Sequence, residues 1–312
     1  MIIEQGFGNR ASYRGGYVSI GNFDGVHRGH QRMISSLVQH ARRDGVPAVV
    51  LTFDPHPVTL LAPQRTPPRL NTLPRKAQLL ADCGVDCLIA YPTDRDLLNL
   101  TAEEFFQQII RDEMAARGVV EGPNFCFGRN RGGTIDVLTE LCAQAGILCE
   151  IVPAVTQDGQ VVSSSSIRQA LMAGSVREAG QMLGAPYRLS GTVASGAGRG
   201  RNLGFPTANL DDVATLIPAD GVYAAVAPVD SACLAAAVHI GSNPTIADEA
   251  RKIEVHLLDF DGDLYGRTLH VDLIERVRGT QSFDGPQALQ EQLKRDLAEI
   301  RRIVDEHRAE ID

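Results

Sequence analysis

The sequence predicts an α/β domain with a doubly wound parallel sheet, followed by a small antiparallel β-barrel and a C-terminal helix. Three observations lead there. In the first half, short apolar runs alternate with segments whose apolar residues recur at helical spacing. In the second half, strand-like runs follow one another directly, separated by turns rich in Gly, Pro and Asp. Near its end the chain carries one long stripe of apolar residues at helical spacing.

Taken in order, strands are expected at 17–20, 48–53, 86–91, 119–121 and 147–152. Helices fit between them at about 29–43, 75–83, 101–117 and 134–145. Thr101-Ala102-Glu103-Glu104 reads as a capping box opening the third helix, and Gly118 as the glycine that closes it. Such alternation calls for helices on both faces of the sheet, with ligands bound beyond the carboxyl ends of the strands. Two short helices follow near 167–173 and 176–183, and Gly184-Ala185-Pro186 stops the run. The domain boundary is placed there, giving 1–186 and 187–312. Barrel strands are expected at 187–194, 222–229, 235–240, 253–260 and 269–275. The last helix, 286–307, presents Leu289, Leu293, Leu297, Ile300 and Val304 as one face, a pattern of core packing.

A chain of 312 residues suits two domains, and 44% hydrophobic with 22% charged content is that of a soluble globular protein. No apolar run approaches the ~20 residues of a membrane span. The opening Met1-Ile2-Ile3-Glu4-Gln5 has neither the basic nor the apolar region of a signal peptide. The six cysteines form no C-x-x-C pair, and reduced thiols in a cytoplasmic protein are expected. A net charge of −8 speaks against nucleic-acid binding, and no obligatory protein partner is evident. Anionic small substrates are compatible with it, because 187–210 carries Arg188, Arg199 and Arg201 and no acidic residue.

Chemistry concentrates in a few segments. G-N-F-D-G-V-H-R-G-H at 21–30 follows a strand and opens a helix. His27 and His30, three apart at a helix start, can aim at one spot, where exposed N–H groups already favour an anion. Taken alone, H-x-x-H could also be half of a metal site. G-P-N-F-C-F-G-R-N-R-G at 122–132 places glycines and two arginines at a strand end. V-S-S-S-S-I-R at 162–168 precedes a helix that a serine can cap, with Arg168 adding charge. A glycine-dense loop at 191–204 lacks the Walker pattern but can wrap phosphates through backbone N–H groups. Beyond it, Thr207 and Asn209 share one face of an extended strand and offer neutral oxygens that suit Mg²⁺.

These motifs, with F-D-P-H-P at 53–57, G-R-N-L-G-F-P-T-A-N at 200–209, I-G-S-N-P-T at 240–245 and E-V-H at 254–256, resemble the bacterial bifunctional riboflavin kinase/FAD synthetase family. The likeness runs from about residue 15 to 305. It implies a nucleotidyltransferase domain that adenylylates FMN to FAD, then a riboflavin kinase domain that makes FMN, both using ATP with Mg²⁺. The first ATP site would comprise Gly21, Phe23, Asp24, Gly25, His27, His30, Ser164, Ser165 and Arg168. His56, Asn124, Phe127 and Arg131 would meet its flavin. In the kinase, Gly196, Gly198, Gly200, Arg201, Thr207 and Asn209 would hold ATP, the last two its metal, and Arg278 would face the flavin. The resemblance makes Glu254 the base, and His27, His30 and Arg168 the other catalytic groups. Two positions depart from the pattern: His239 stands where Asn is usual, and 278–283 lacks the usual acidic and lysine residues. The alternatives are a cytidylyltransferase and a flavin-binding sensor without turnover.

Overall fold

The computed structural model describes residues 1–194, 204–243 and 248–311. The chain divides into two compact units, 1–68 with 72–162 and 69–71 with 163–312. In the first, six strands are β1 (Ile2–Gln5), β2 (Tyr17–Ile20), β3 (Ala48–Phe53), β4 (Cys87–Tyr91), β5 (Gly118–Glu121) and β6 (Leu148–Ile151). They form one sheet in the order β1-β4-β3-β2-β5-β6, and every neighbouring pair is parallel. The chain steps outward from β2 through β3 to β4, then crosses back to place β5 on the other side of β2. The switch point therefore lies between the ends of β2 and β5.

The helices of this unit are α1 (Arg28–Asp44), α2 (Pro57–Leu61), α3 (Leu73–Asp82), α4 (Arg95–Asn99), α5 (Ala102–Phe105) and α6 (Ile135–Ala145). Alternate strand residues serve opposite faces. Val18, Val49 and Ile89 pack with Phe106, Ile110 and Leu138, while Val50, Leu88 and Val120 pack with Ile34, Leu37 and Leu80. A two-residue hairpin pair, β7 (Thr156–Gln157) and β8 (Gln160–Val161), follows the sheet.

Where sequence and structure part, local pairing is the reason. The capping box between Thr101 and Glu104 forms, but after Phe105 the helix widens into a π-helical stretch, Phe106–Glu113. It turns away at left-handed Ala115, before Gly118. Gly118 instead opens β5, where a Cβ would lie 2.4 Å from the Tyr17 ring. Its lack of a side chain serves sheet packing, not a helix end. β1 is an edge strand with Ile2 and Ile3 half exposed, so it carries no burial pattern to read.

The second unit starts with α7 (Ser164–Ala173) and α8 (Val176–Leu183). Six antiparallel strands then close a barrel: β9 (Tyr187–Ala194), β10 (Ala208–Asp211), β11 (Gly221–Val229), β12 (Ala232–Asn243), β13 (Asp248–Leu257) and β14 (Thr268–Arg278). Around the barrel the order is β10-β13-β12-β11-β14-β9. The short β10 adds a sixth strand to the five expected. β13 stops before residue 260 because Asp259 turns left-handed. The last helix, α9 (Pro286–Ile311), lays Ile300, Ile303 and Val304 on Val222, Ala224 and Ile274, which covers the outer face of β11 and β14. Its stripe is interrupted by Asp296, 3% exposed, whose carboxylate accepts two N–H bonds from Arg278 at 3.0 and 2.7 Å. Arg177 with Glu275, 3.3 Å apart, ties α8 to β14.

Candidate active sites

In the first unit, β2 ends at Ile20 and the chain turns through 21–27 into α1. The turn is strained: Phe23 and Val26 are left-handed, at φ 45° and 43°, where a β-branched residue is a genuine outlier. Each such residue costs about 1–3 kcal/mol and persists only where its surroundings over-determine it. His27 caps α1, its Nδ1 accepting the His30 N–H at 3.3 Å. That bond fixes the neutral ring as the Nε2–H tautomer, a donor toward the site. The two imidazoles stack at 3.7 Å with planes 17° apart, and Phe23 leans on His30 at 5.1 Å. Burial pushes His27 down to about 4. Burial, then the charges of His27 and Lys76, hold His30 well below the usual histidine range. His30 Nδ1 is buried with no hydrogen-bond partner among the described residues. The first turn of α1 carries no acidic side chain. Two neutral imidazoles at a positive helix end form a place for an anion.

Across the switch point, Glu121 of β5 is 2% exposed and its Oε1 accepts the Ile20 N–H at 2.6 Å, joining the ends of β2 and β5. Burial holds this carboxyl well above the usual carboxylate range. The loop that follows is pinned by a reciprocal backbone pair between Phe127 and Gly133, at 3.0 and 2.9 Å. Gly128 has φ 70°, and a Cβ there would sit 2.7 Å from the Ala102 nitrogen. Phe125 and Phe127 stack at 5.5 Å. A cavity of about 520 Å³ opens beside them, lined among others by Ile20, Phe53, Phe125, Phe127, Arg129 and Arg131. Its size and aromatic walls suit a planar ring system. Of the flavin residues expected here, Phe127 and Arg131 line the cavity and His56 and Asn124 do not. His56 caps α2, its Nδ1 accepting the Val58 N–H at 3.1 Å.

In the second unit one row crosses the barrel wall. Asn209 of β10 is directly opposite Glu254 of β13, which is opposite His239 of β12. His239 Nδ1 lies 3.6 Å from Glu254 Oε2. Neighbouring Ile253 and Val255 are buried, so this row stands on the outer face of the barrel. His256 donates from Nδ1 to the Pro206 carbonyl at 2.7 Å and so holds the segment bearing Thr207. Thr207 lines a cavity of about 260 Å³ with Val193, Ala208, Phe260, Asp261 and Tyr265. Arg278, expected at the flavin, spends its guanidinium on Asp296 and stands 5.6 Å over the Phe283 ring.

Comparison with known proteins gives the family of the chain. The FAD synthetase family model matches residues 9–166 and the riboflavin kinase model residues 183–304. The chain is 35% identical to the bifunctional riboflavin kinase/FMN adenylyltransferase of Escherichia coli K12 over 92% of each protein. With the Pseudomonas fluorescens protein of that name it shares 36% over 95% of each. The chain belongs to this bifunctional family. Among solved structures, one titled a macrolide-efflux protein from Streptococcus pneumoniae superposes with a TM-score of 0.85 and 33% identity. That alignment covers 96% of this chain and 99% of that one. No helix of the described residues is long and apolar enough to cross a membrane.

Along this chain the FAD synthetase region precedes the riboflavin kinase region. Gly21, Phe23, Asp24, Gly25, His27 and His30 lie together at the β2–α1 turn. Ser164, Ser165 and Arg168 lie in the first two turns of α7, whose cap is Ser163 in a reciprocal pair with Ser166. Gly196, Gly198, Gly200 and Arg201 fall outside the described residues. Sequence reasoning missed Lys76, buried beneath the 21–27 turn, and Glu121. It also left the histidine of E-x-H without a role, although that motif was the available signal.

Proposed function

We propose that the first site transfers the adenylyl group of ATP to FMN and the second transfers the γ-phosphoryl group of ATP to riboflavin. The observation that carries this reading is that each unit holds its own constellation: stacked histidines at the start of α1 and an aromatic cavity in one, Asn209–Glu254–His239 in the other. The activities are assigned to domains 1–186 and 187–312, in a cytoplasmic protein needing no obligatory protein partner.

At the first site, the FMN phosphate attacks the α-phosphorus of ATP and pyrophosphate leaves, so no protein nucleophile is required. His27 and His30 donate hydrogen bonds to phosphate oxygens as charge builds. Ser164, Ser165 and Arg168 are assigned the departing pyrophosphate on their motif. Phe127 and Arg131 of the cavity take the flavin, and His56 and Asn124 are its outer contacts. At the second site, Glu254 accepts the proton of the ribityl 5′-hydroxyl as that oxygen attacks the γ-phosphorus and ADP leaves. Gly196, Gly198, Gly200 and Arg201 are assigned the phosphates, and Arg278 the flavin side. The Thr207 hydroxyl and Asn209 carboxamide, with the Glu254 carboxylate beside Asn209, make a set of hard oxygen donors that fits Mg²⁺. Bound with ATP, the metal would neutralise phosphate charge.

A chromatographic time course with riboflavin, ATP and Mg²⁺ tests the reading: FMN appears first and passes to FAD. Activity with CTP but not ATP, or tight riboflavin binding with no FMN formed, overturns it.

A further inference from the structure

Lys76 stands on the face of α3 that packs beneath the sheet, beside Ala77 and Leu80, and is 9% exposed. Its Nζ donates to the Asn22 carbonyl at 2.6 Å and to Thr52 Oγ1 at 3.1 Å. The Thr52 hydroxyl in turn donates to the same Asn22 carbonyl at 3.2 Å. One carbonyl, in the residue before left-handed Phe23, is thus gripped from β3 and from α3 at once. Burying an ammonium is costly, and an apolar residue would fill this helix position at no such cost. The strained turn at 21–27 is the structure that gains from it, since left-handed Phe23 and Val26 need external restraint.

We propose that Lys76 is a positioning residue for adenylyl transfer, clamping the 21–27 turn through the Asn22 carbonyl so that turn and histidines meet the nucleotide phosphates in one fixed arrangement. This rests on the reading of the first site given above. The ammonium touches protein oxygens, and its influence on the reaction passes through the turn. A second effect follows from its charge. Burial is the main reason that His30 resists protonation, and the charges of His27 and Lys76 act in the same direction.

The test compares Lys76→Met and Lys76→Arg in the full chain, measuring FAD formation from FMN and FMN formation from riboflavin. Misplacing a phosphate-binding turn slows turnover more than it weakens binding, so Lys76→Met should lower kcat for FAD formation by about ten- to a hundredfold. The KM for FMN should stay within about threefold, and FMN formation should be unchanged. Lys76→Arg, which keeps charge and donors, should restore most of the rate. FAD formation within about threefold of wild type in Lys76→Met overturns the clamp. Should Lys76→Met fail to fold, Thr52→Val removes one grip on the same carbonyl; unchanged FAD formation in that variant also overturns it. If wild-type chain forms no FAD from FMN, the reading of the first site itself falls.

Discussion

Glu254 stands between Asn209 and His239 on three adjacent barrel strands, with His239 Nδ1 3.6 Å from its Oε2. On the proposed function, this sets an acceptor for a hydroxyl proton next to an oxygen donor for the nucleotide's metal. Replacing Glu254 by Gln keeps the shape and removes the basicity. FMN formation should fall by about 10²–10⁴, while FAD synthesis from added FMN continues. Parallel loss of both activities would show that the two reactions do not occupy separate sites.

His30→Ala should do the reverse. On the proposed function, the half-buried ring gives a hydrogen bond to a developing charge, and removing one such donor typically costs about 10²–10³ in kcat. Riboflavin should then be converted to FMN that accumulates, read directly from the chromatogram. Undiminished FAD formation would remove His30 from the reaction.

Much of this was legible because its signals are local. Strand, strained turn and helix start at 17–30 are consecutive in the chain, and His27 can cap α1 with no distant help. The barrel was legible from alternating strands, and its order from none of them, since closure depends on pairings such as β14 with β9. Lys76 looks like any lysine on an amphipathic helix until β3 and the 21–27 turn are brought over it. Glu121 lies at a strand end, and only the pairing of β5 with β2 buries it. Asp296 reads as a solvent-facing residue, because its partner Arg278 belongs to a strand of the barrel.

That last pair has a measurable consequence. Arg278 and Asp296 are both largely buried, and the carboxylate of Asp296 also accepts from Gln292 at 2.8 Å. Asp296→Ala leaves a guanidinium buried without its counter-charge, which costs about 3–5 kcal/mol. The second unit should unfold at markedly lower urea, and amides of α9 should exchange faster. Riboflavin KM should rise as well, since Arg278 would lose the anchor that sets it over Phe283. Unaltered unfolding would mean that α9 is held by Ile300, Ile303 and Val304 alone.

Glu121 gives a prediction in pH. Its carboxyl is held well above the usual range by burial, against the opposing effect of the Ile20 N–H it accepts. Below the unfolded carboxylate value of about 4.3 both states are protonated, and the group's contribution is fully present. As pH rises, the unfolded chain ionises while the folded one resists, so stability declines until the folded group ionises too. Glu121→Gln cannot ionise, yet its carboxamide oxygen can still accept the Ile20 N–H. Melting of the first unit should therefore match wild type near pH 4 and exceed it by a few degrees near pH 8, the scale of about 1 kcal/mol in a domain of this size. A constant difference between the two proteins across that range would show that Glu121 titrates in the folded chain as it does in the unfolded one.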